Sequence, residues 1–249
     1  MRSTAHWTGG VRRVIQLHGP QNVELYLVDL GPAPSNEETM SLLPEEHRRA
    51  ERFAFAADRE RFVAARATLR ACLAARCDCA PAALRFARSA WGKPRVEGPR
   101  WSGHFSLSHS GDWALIGCSE VVELGVDLEL HRDLDDAASV ARSVCSTAEW
   151  AELAALPAAR RGSAFLDCWT RKEASVKAIG CGLSMDLTGL HVGTLREPGL
   201  VELRREFGHV RLMVTSLTMP MPMPAMSAAL ASVLPGVQDL VVPPVLSSL

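Results

Sequence analysis

Lysine is scarce in this chain: of 27 basic residues, 24 are arginine and only Lys93, Lys172 and Lys177 are lysine. Such a bias reflects codon composition, but it makes each surviving ammonium worth locating, because a compact, mobile charge does what a planar guanidinium cannot. Cysteine is present seven times without a C-x-x-C pair, which excludes a disulfide framework or zinc site of ordinary spacing and suits a reducing cytoplasm. The first residues, MRSTAHWTGGVRR, hold no apolar run of the kind that opens a secretory leader, so a cytoplasmic protein is expected. Residues 212–238 are uncharged, yet Pro220, Pro222, Pro224 and Pro235 break them, which excludes a membrane span. Net charge is only −1, so no global field recruits nucleic acid or anionic lipid.

What is there is a chain of 249 residues, 47% apolar and 22% charged, enough for one large core or two small ones. Its charge is sorted. Residues 47–100 carry 13 basic and 5 acidic side chains, residues 101–136 carry 8 acidic and 1 basic, a pattern that suits a polyanion on one side and a cation on the other.

Hydrophobic periodicity predicts a strand over 23–30, helices over 42–55 and 58–76, and strands near 84–87, 105–107 and 113–118. The order then recurs: a strand over 121–130, helices near 147–156 and 163–179, and strands near 189–195, 199–206, 209–217 and 226–233. This predicts an α+β fold of two similar halves, 21–119 and 120–235, flanked by a poorly ordered extension at 1–20 and a tail at 236–249.

Gly125-Val126-Asp127-Leu128-Glu129-Leu130 alternates on a strand period, setting Asp127 and Glu129 on one face roughly 7 Å apart. It is either a half-exposed strand with an acidic outer side or a pair of hard oxygen ligands suited to Mg²⁺. Trp169, Glu173 and Lys177 are spaced by four in a helix bounded by Gly180 and Gly182, so they share a face. That row is a surface Glu–Lys pair or, with a tryptophan heading it, part of a cleft. Ser106-Leu107-Ser108-His109-Ser110-Gly111 ends a strand in hydroxyls that either cradle phosphate or satisfy their own turn. Arg88 to Pro94, including Gly92 and Lys93, is a polar turn, and Arg48, Arg49 and Arg52 form a basic helix face. No nucleophile elbow, Walker loop or dinucleotide fingerprint occurs.

Taken together, WGKP, SLSHSGDWA, GVDLE and WTRKEASVK, with Glu129 and Glu173 separated by 44 positions, resemble the 4′-phosphopantetheinyl transferases of the Sfp type over about residues 45–190. The resemblance implies monomers of two α+β halves with pseudo-twofold symmetry. Such enzymes bind coenzyme A in the cleft and move its phosphopantetheine arm to a serine of an apo acyl or peptidyl carrier protein, releasing adenosine 3′,5′-bisphosphate. It implies Asp127, Glu129 and Glu173 as Mg²⁺ ligands and Lys177 as the residue on the pyrophosphate or assisting proton transfer. Ser108 and His109 fall on coenzyme A phosphates, Arg88, Gly92 and Lys93 around the nucleotide, and Arg49 on its 3′-phosphate. Glu149 is similar to a proposed general base, although Ser146-x-x-Glu149 also reads as a capping box. Glu46 departs from the pattern, being acidic where some members add a second basic phosphate contact. Rival readings are a metal-dependent phosphodiesterase or nuclease on the same carboxylates, and a non-enzymatic coenzyme A-binding module. Neither nucleic acid nor membrane is the expected partner.

Overall fold

The computed structural model describes residues 12–20, 22–89, 91–98, 101–131, 137–181, 185–194, 197–205 and 208–235. Two four-stranded antiparallel sheets carry it. The first is ordered β1 (Val14–Leu17), β2 (Glu24–Asp29), β6 (Trp113–Ser119), β5 (His104–Ser110), and the second β7 (Leu124–Leu130), β10 (Met226–Val233), β9 (Gly208–Ser216), β8 (Gly199–Arg205). A small hairpin, β3 (Phe86–Arg88) with β4 (Pro94–Val96), stands apart from both. The α+β class is as expected.

Each sheet is covered by one helix of 22 residues. On the first lies α3 (Ala56–Cys77), whose Ala64, Leu69 and Leu73 pack with Val28, Phe105 and Ile116. On the second lies α6 (Ala158–Ile179), whose Phe165, Cys168 and Val176 pack with Val201, Leu212 and Val214. A third cluster joins the sheets: Leu25, Leu27 and Leu115 from one meet Val126, Leu128 and Leu230 from the other. Alternation along β7 thereby sends Val126 and Leu128 into the joint and leaves Asp127 and Glu129 on the opposite face. Both long helices end on a left-handed residue, Asp78 at φ 48° and Gly180 at φ 76°, and the second has the residue type that takes this conformation without strain. The shorter helices are α1 (Asn36–Met40), α2 (Pro44–Ala50), α4 (Ala137–Val144) and α5 (Thr147–Ala155).

Helix α6 crosses β7 at Gly125. A Cβ there would stand 2.1 Å from Ala174 O and 2.3 Å from Ala178 N, so no other residue fits without moving the helix.

Three expectations are corrected. The segment before residue 20 is not wholly an extension, because Val14–Leu17 pairs with Leu25–Val28 as an edge strand. The helix expected over 42–55 is shorter, Pro44 to Ala50, and is preceded by α1, which Ser35 and Glu38 cap reciprocally. Of the strand expected over 189–195, the described residues form a 3₁₀ turn at Leu187–Gly189 followed by irregular chain to 194, where Gly193 at φ 73° breaks the alternation. The tail at 236–249 and Gly182 lie outside the described residues.

Candidate active site

Strand β7 supplies Asp127 and Glu129, and α6 supplies Trp169, Glu173 and Lys177. With Ser108 and His109 of β5 they line one cleft of about 310 Å³. The spacing by four on α6 therefore does place indole, carboxylate and ammonium on one wall. The simple surface pair is not what forms: Lys177 Nζ donates to Asp127 Oδ1 at 2.6 Å and to Ser108 Oγ at 2.9 Å. Ser108 Oγ in turn donates to Asp127 Oδ1 at 2.7 Å.

The carboxylates are poorly neutralised by the protein itself. Asp127 Oδ2 and Glu173 Oε1 are buried polar atoms without a hydrogen-bond partner, a costly condition that a bound cation relieves. Burial pushes the Glu173 carboxyl above the ordinary range; Asp127 and Glu129 add to that push and Lys177 opposes it. Three hard oxygen donors of this kind fit Mg²⁺ better than a softer metal. His109 is held below the ordinary histidine value, first by burial and then by Lys177 and Arg49, so it presents a neutral imidazole at neutral pH.

Two further hollows lie in line with the cleft: the smaller shares Leu107, Glu173 and Lys177 with it, and the larger shares Arg66 and Pro94 with the smaller. One of about 770 Å³ is lined by Arg48, Arg49, Arg52, Arg66 and Arg88, with Glu45 and Glu46, and by Phe53, Phe62 and Phe86. Arg49 lies over Phe62 at 5.2 Å and Arg66 over Phe86 at 5.0 Å, so each guanidinium is steadied by a ring. The other, about 480 Å³, has an apolar lining of Phe105, Leu107 and Val176, with Trp91 and Gly92 at one side and Lys177 at another.

Arg49 and Arg88 thus share the basic hollow, and Ser108, His109 and Lys177 line the cleft. Arg66 was not singled out by sequence reasoning, though two arginines at i, i+4 (Arg66, Arg70) in an alanine- and leucine-rich helix were the available signal. Lys93 lines the second hollow, but its ammonium is engaged by Glu123, by Leu124 O at 3.2 Å and by Ala178 O at 2.8 Å. It ties the β3–β4 turn to the second half.

Glu149 stands elsewhere. It is fully buried and bound to Lys172 at 2.7 Å; its carboxylate also accepts the N–H groups of Ser146, Val192 and Gly193. Burial alone would raise its pKa, but Lys172 and the Ser146 and Val192 amides overcome that and hold it low. A carboxylate so sealed and so satisfied offers no lone pair to a serine hydroxyl or a water. The capping-box reading of Ser146-x-x-Glu149 describes it, and the general-base role does not fit. Cys145 and Cys168 lie with Glu149 in the one group of potential ligand atoms within 4.8 Å of one another among the described residues. The cation already there is the ammonium of Lys172.

Glu46 lies on the wall of the basic hollow, with its charge taken up by the protein. Its carboxylate accepts Arg66 Nε at 2.9 Å, Arg70 Nε at 2.6 Å and Leu43 N at 2.9 Å. The departure from the family pattern at this residue is therefore offset within the protein, where the acid pairs with two arginines.

Comparison with known proteins gives the same reading from both ends of the chain. Residues 33–121 match the family model described as 4′-phosphopantetheinyl transferase, N-terminal, and residues 123–209 match that of the 4′-phosphopantetheinyl transferase superfamily. The slr0495 protein of Synechocystis sp. is 38% identical over 144 residues, 57% of this chain and 58% of its own length. The 4′-phosphopantetheinyl transferase HetI of Nostoc sp. is 33% identical over 167 residues, 65% of this chain and 70% of its own. The 4′-phosphopantetheinyl transferase psf-1 of Bacillus pumilus is 32% identical over 160 residues, 64% and 66%. The chain thus spans 58 to 70% of the length of these relatives. With the motifs, the α+β architecture and the paired matches in agreement, this chain belongs to the 4′-phosphopantetheinyl transferase superfamily.

Proposed function

We propose that the protein transfers the 4′-phosphopantetheine group of coenzyme A to a serine of an apo acyl or peptidyl carrier protein, with Mg²⁺ bound. The observation that supports this most is the cleft where Asp127, Glu129, Glu173 and Lys177 meet with two buried carboxylate oxygens left unpartnered. Asp127, Glu129 and Glu173 hold the Mg²⁺, which supplies charge neutralisation for the pyrophosphate. Lys177, one turn beyond Glu173, moves from Asp127 to the pyrophosphate and stabilises the departing phosphate charge. Ser108 and His109 orient the phosphates from the β5 side. Arg49 and Arg88 take the 3′-phosphate and the nucleotide in the basic hollow, where the phenyl rings offer an apolar surface to a base. Gly92 and Lys93 shape the neighbouring turn. Both walls of the cleft come from one chain, so a monomer suffices. No helix among the described residues is long and apolar enough to cross a membrane, and none of the seven cysteines is in a disulfide.

The test is incubation with coenzyme A, Mg²⁺ and several apo carrier proteins, followed by intact mass. A carrier heavier by one phosphopantetheine arm is expected, with loss of that product in Asp127→Asn and Glu173→Gln. Digestion of added nucleic acid would favour a nuclease. Coenzyme A binding with no change of carrier mass would leave a binding module, and either outcome overturns the proposal.

A further inference from the structure

Strands β5 and β7 are neighbours but belong to different sheets. What crosses between them is a row of hydroxyls from every second residue of β5. Ser106 Oγ accepts the Val126 N–H at 3.1 Å, Ser108 Oγ donates to Asp127 Oδ1 at 2.7 Å, and Ser110 Oγ accepts the Leu130 N–H at 3.1 Å while donating to Glu129 Oε2 at 2.8 Å. Side-chain oxygens thus do the work that main-chain carbonyls do inside a sheet.

We propose that Ser110 is a positioning residue that orients Glu129 as a metal ligand, an inference that rests on the metal reading above. A serine hydroxyl has one proton and two lone pairs. Because the Leu130 amide occupies a lone pair and fixes the oxygen, the proton is aimed at Glu129 Oε2 instead of rotating freely. The carboxylate is thereby held in one rotamer from the opposite sheet, with its other oxygen left for a cation. Ser106 is the internal control: it belongs to the same row but touches only a backbone amide. Outer hydrogen bonds of this kind raise metal affinity roughly 10- to 100-fold.

The measurement is Mn²⁺ binding to the full chain with coenzyme A present and no carrier, read by electron paramagnetic resonance, alongside melting temperature without metal. Ser110→Ala should weaken Mn²⁺ binding about 10-fold or more. Ser110→Thr, which keeps the oxygen and suits a strand, should restore it. Ser106→Ala should lower the melting temperature about as much as Ser110→Ala yet leave Mn²⁺ affinity within about twofold, since it frees one backbone donor and no ligand. In turnover, Ser110→Ala should raise the Mg²⁺ requirement and recover at saturating Mg²⁺. Wild-type Mn²⁺ affinity in Ser110→Ala, or equal weakening by Ser106→Ala, would overturn the proposal and leave the row a purely structural seam. Failure of the metal reading itself would look different: wild type would bind no Mn²⁺, or Asp127→Asn would bind it unchanged, and both inferences would fall.

Discussion

The two halves of the chain carry the same buried ion pair and use it differently. In each, the third residue of a short helix is a glutamate that accepts the amide at its own N-terminus: Glu46 from Leu43 in α2, Glu149 from Ser146 in α5. In each, the partner is a cation at the same place in the long helix that follows, Arg70 counted from Ala56 and Lys172 counted from Ala158. In the second half both side chains are fully buried, and Lys172 spends its protons on Glu149, Leu187 O and Leu190 O. In the first half Glu46 takes a second arginine, Arg66, which is one-fifth exposed and forms part of the wall of the basic hollow. One copy of the device is closed and serves the core. The other opens onto the basic hollow, and its charges hold that wall in shape.

The sharpest way to break this comparison is to remove the cation from each. Lys172→Met strands a buried carboxylate and should cost about 3–5 kcal/mol, or roughly 10 °C or more in melting temperature for a chain of this size. Arg70→Met leaves Glu46 with Arg66 and the Leu43 amide, so about 1–2 kcal/mol is expected. Equal losses by thermal denaturation would mean that the two pairs are energetically alike.

A smaller effect tests the tie between the halves, where Glu123 meets Lys93 and His104. Burial would raise the Glu123 pKa, but His104 and Lys93 outweigh it and bring the value from 4.5 to about 2. A folded-state pKa below the unfolded one means that the unfolded chain takes up the proton first. The contribution is therefore complete above about pH 4.5 and is lost as pH falls toward about 2, amounting to roughly 3 kcal/mol, or ~2 kcal/mol once solvent screening of this partly exposed group is allowed for. Chemical denaturation across that range should show Glu123→Gln with a flatter acid limb than wild type.

The smallest effect expected is on turnover in Glu149→Gln. If Glu149 only caps and pairs, kcat of the folded fraction at 15 °C should stay within about threefold of wild type, although stability falls. A general base removed would cost roughly 10²–10⁴.

How much of this was legible beforehand follows the distance over which each fact is encoded. The acidic pair on β7, the row on α6 and the hydroxyl-rich end of β5 are local spacings, and periodicity alone set their faces. The capping boxes at Ser146 and Glu149 and at Ser35 and Glu38 are equally local patterns. What a local pattern could not show is partnership across the fold. Nothing near Lys172 announces Glu149, and nothing in the turn carrying Lys93 announces Ala178 O. Position in a motif therefore makes Lys93 resemble a nucleotide contact and leaves Glu149 between general base and capping acid. Arg66 was passed over because its neighbours make α3 look like plain core, whereas its carboxylate lies on another helix.

Gly125 has a consequence for how the cleft keeps its dimensions. The charged groups of the cleft sit on two carriers, a strand and a helix, and the helix touches the strand through bare backbone at that residue. Contact between main-chain atoms is far stiffer than contact through side chains, which adjust by changing rotamer. The separation between the acids of β7 and those of α6 is therefore gauged at one point, two residues before Asp127 and within one turn of both Glu173 and Lys177. The glycine at the head of the GVDLE motif acts as a shim of zero thickness, and the tolerance of the whole cleft is set by having nothing there.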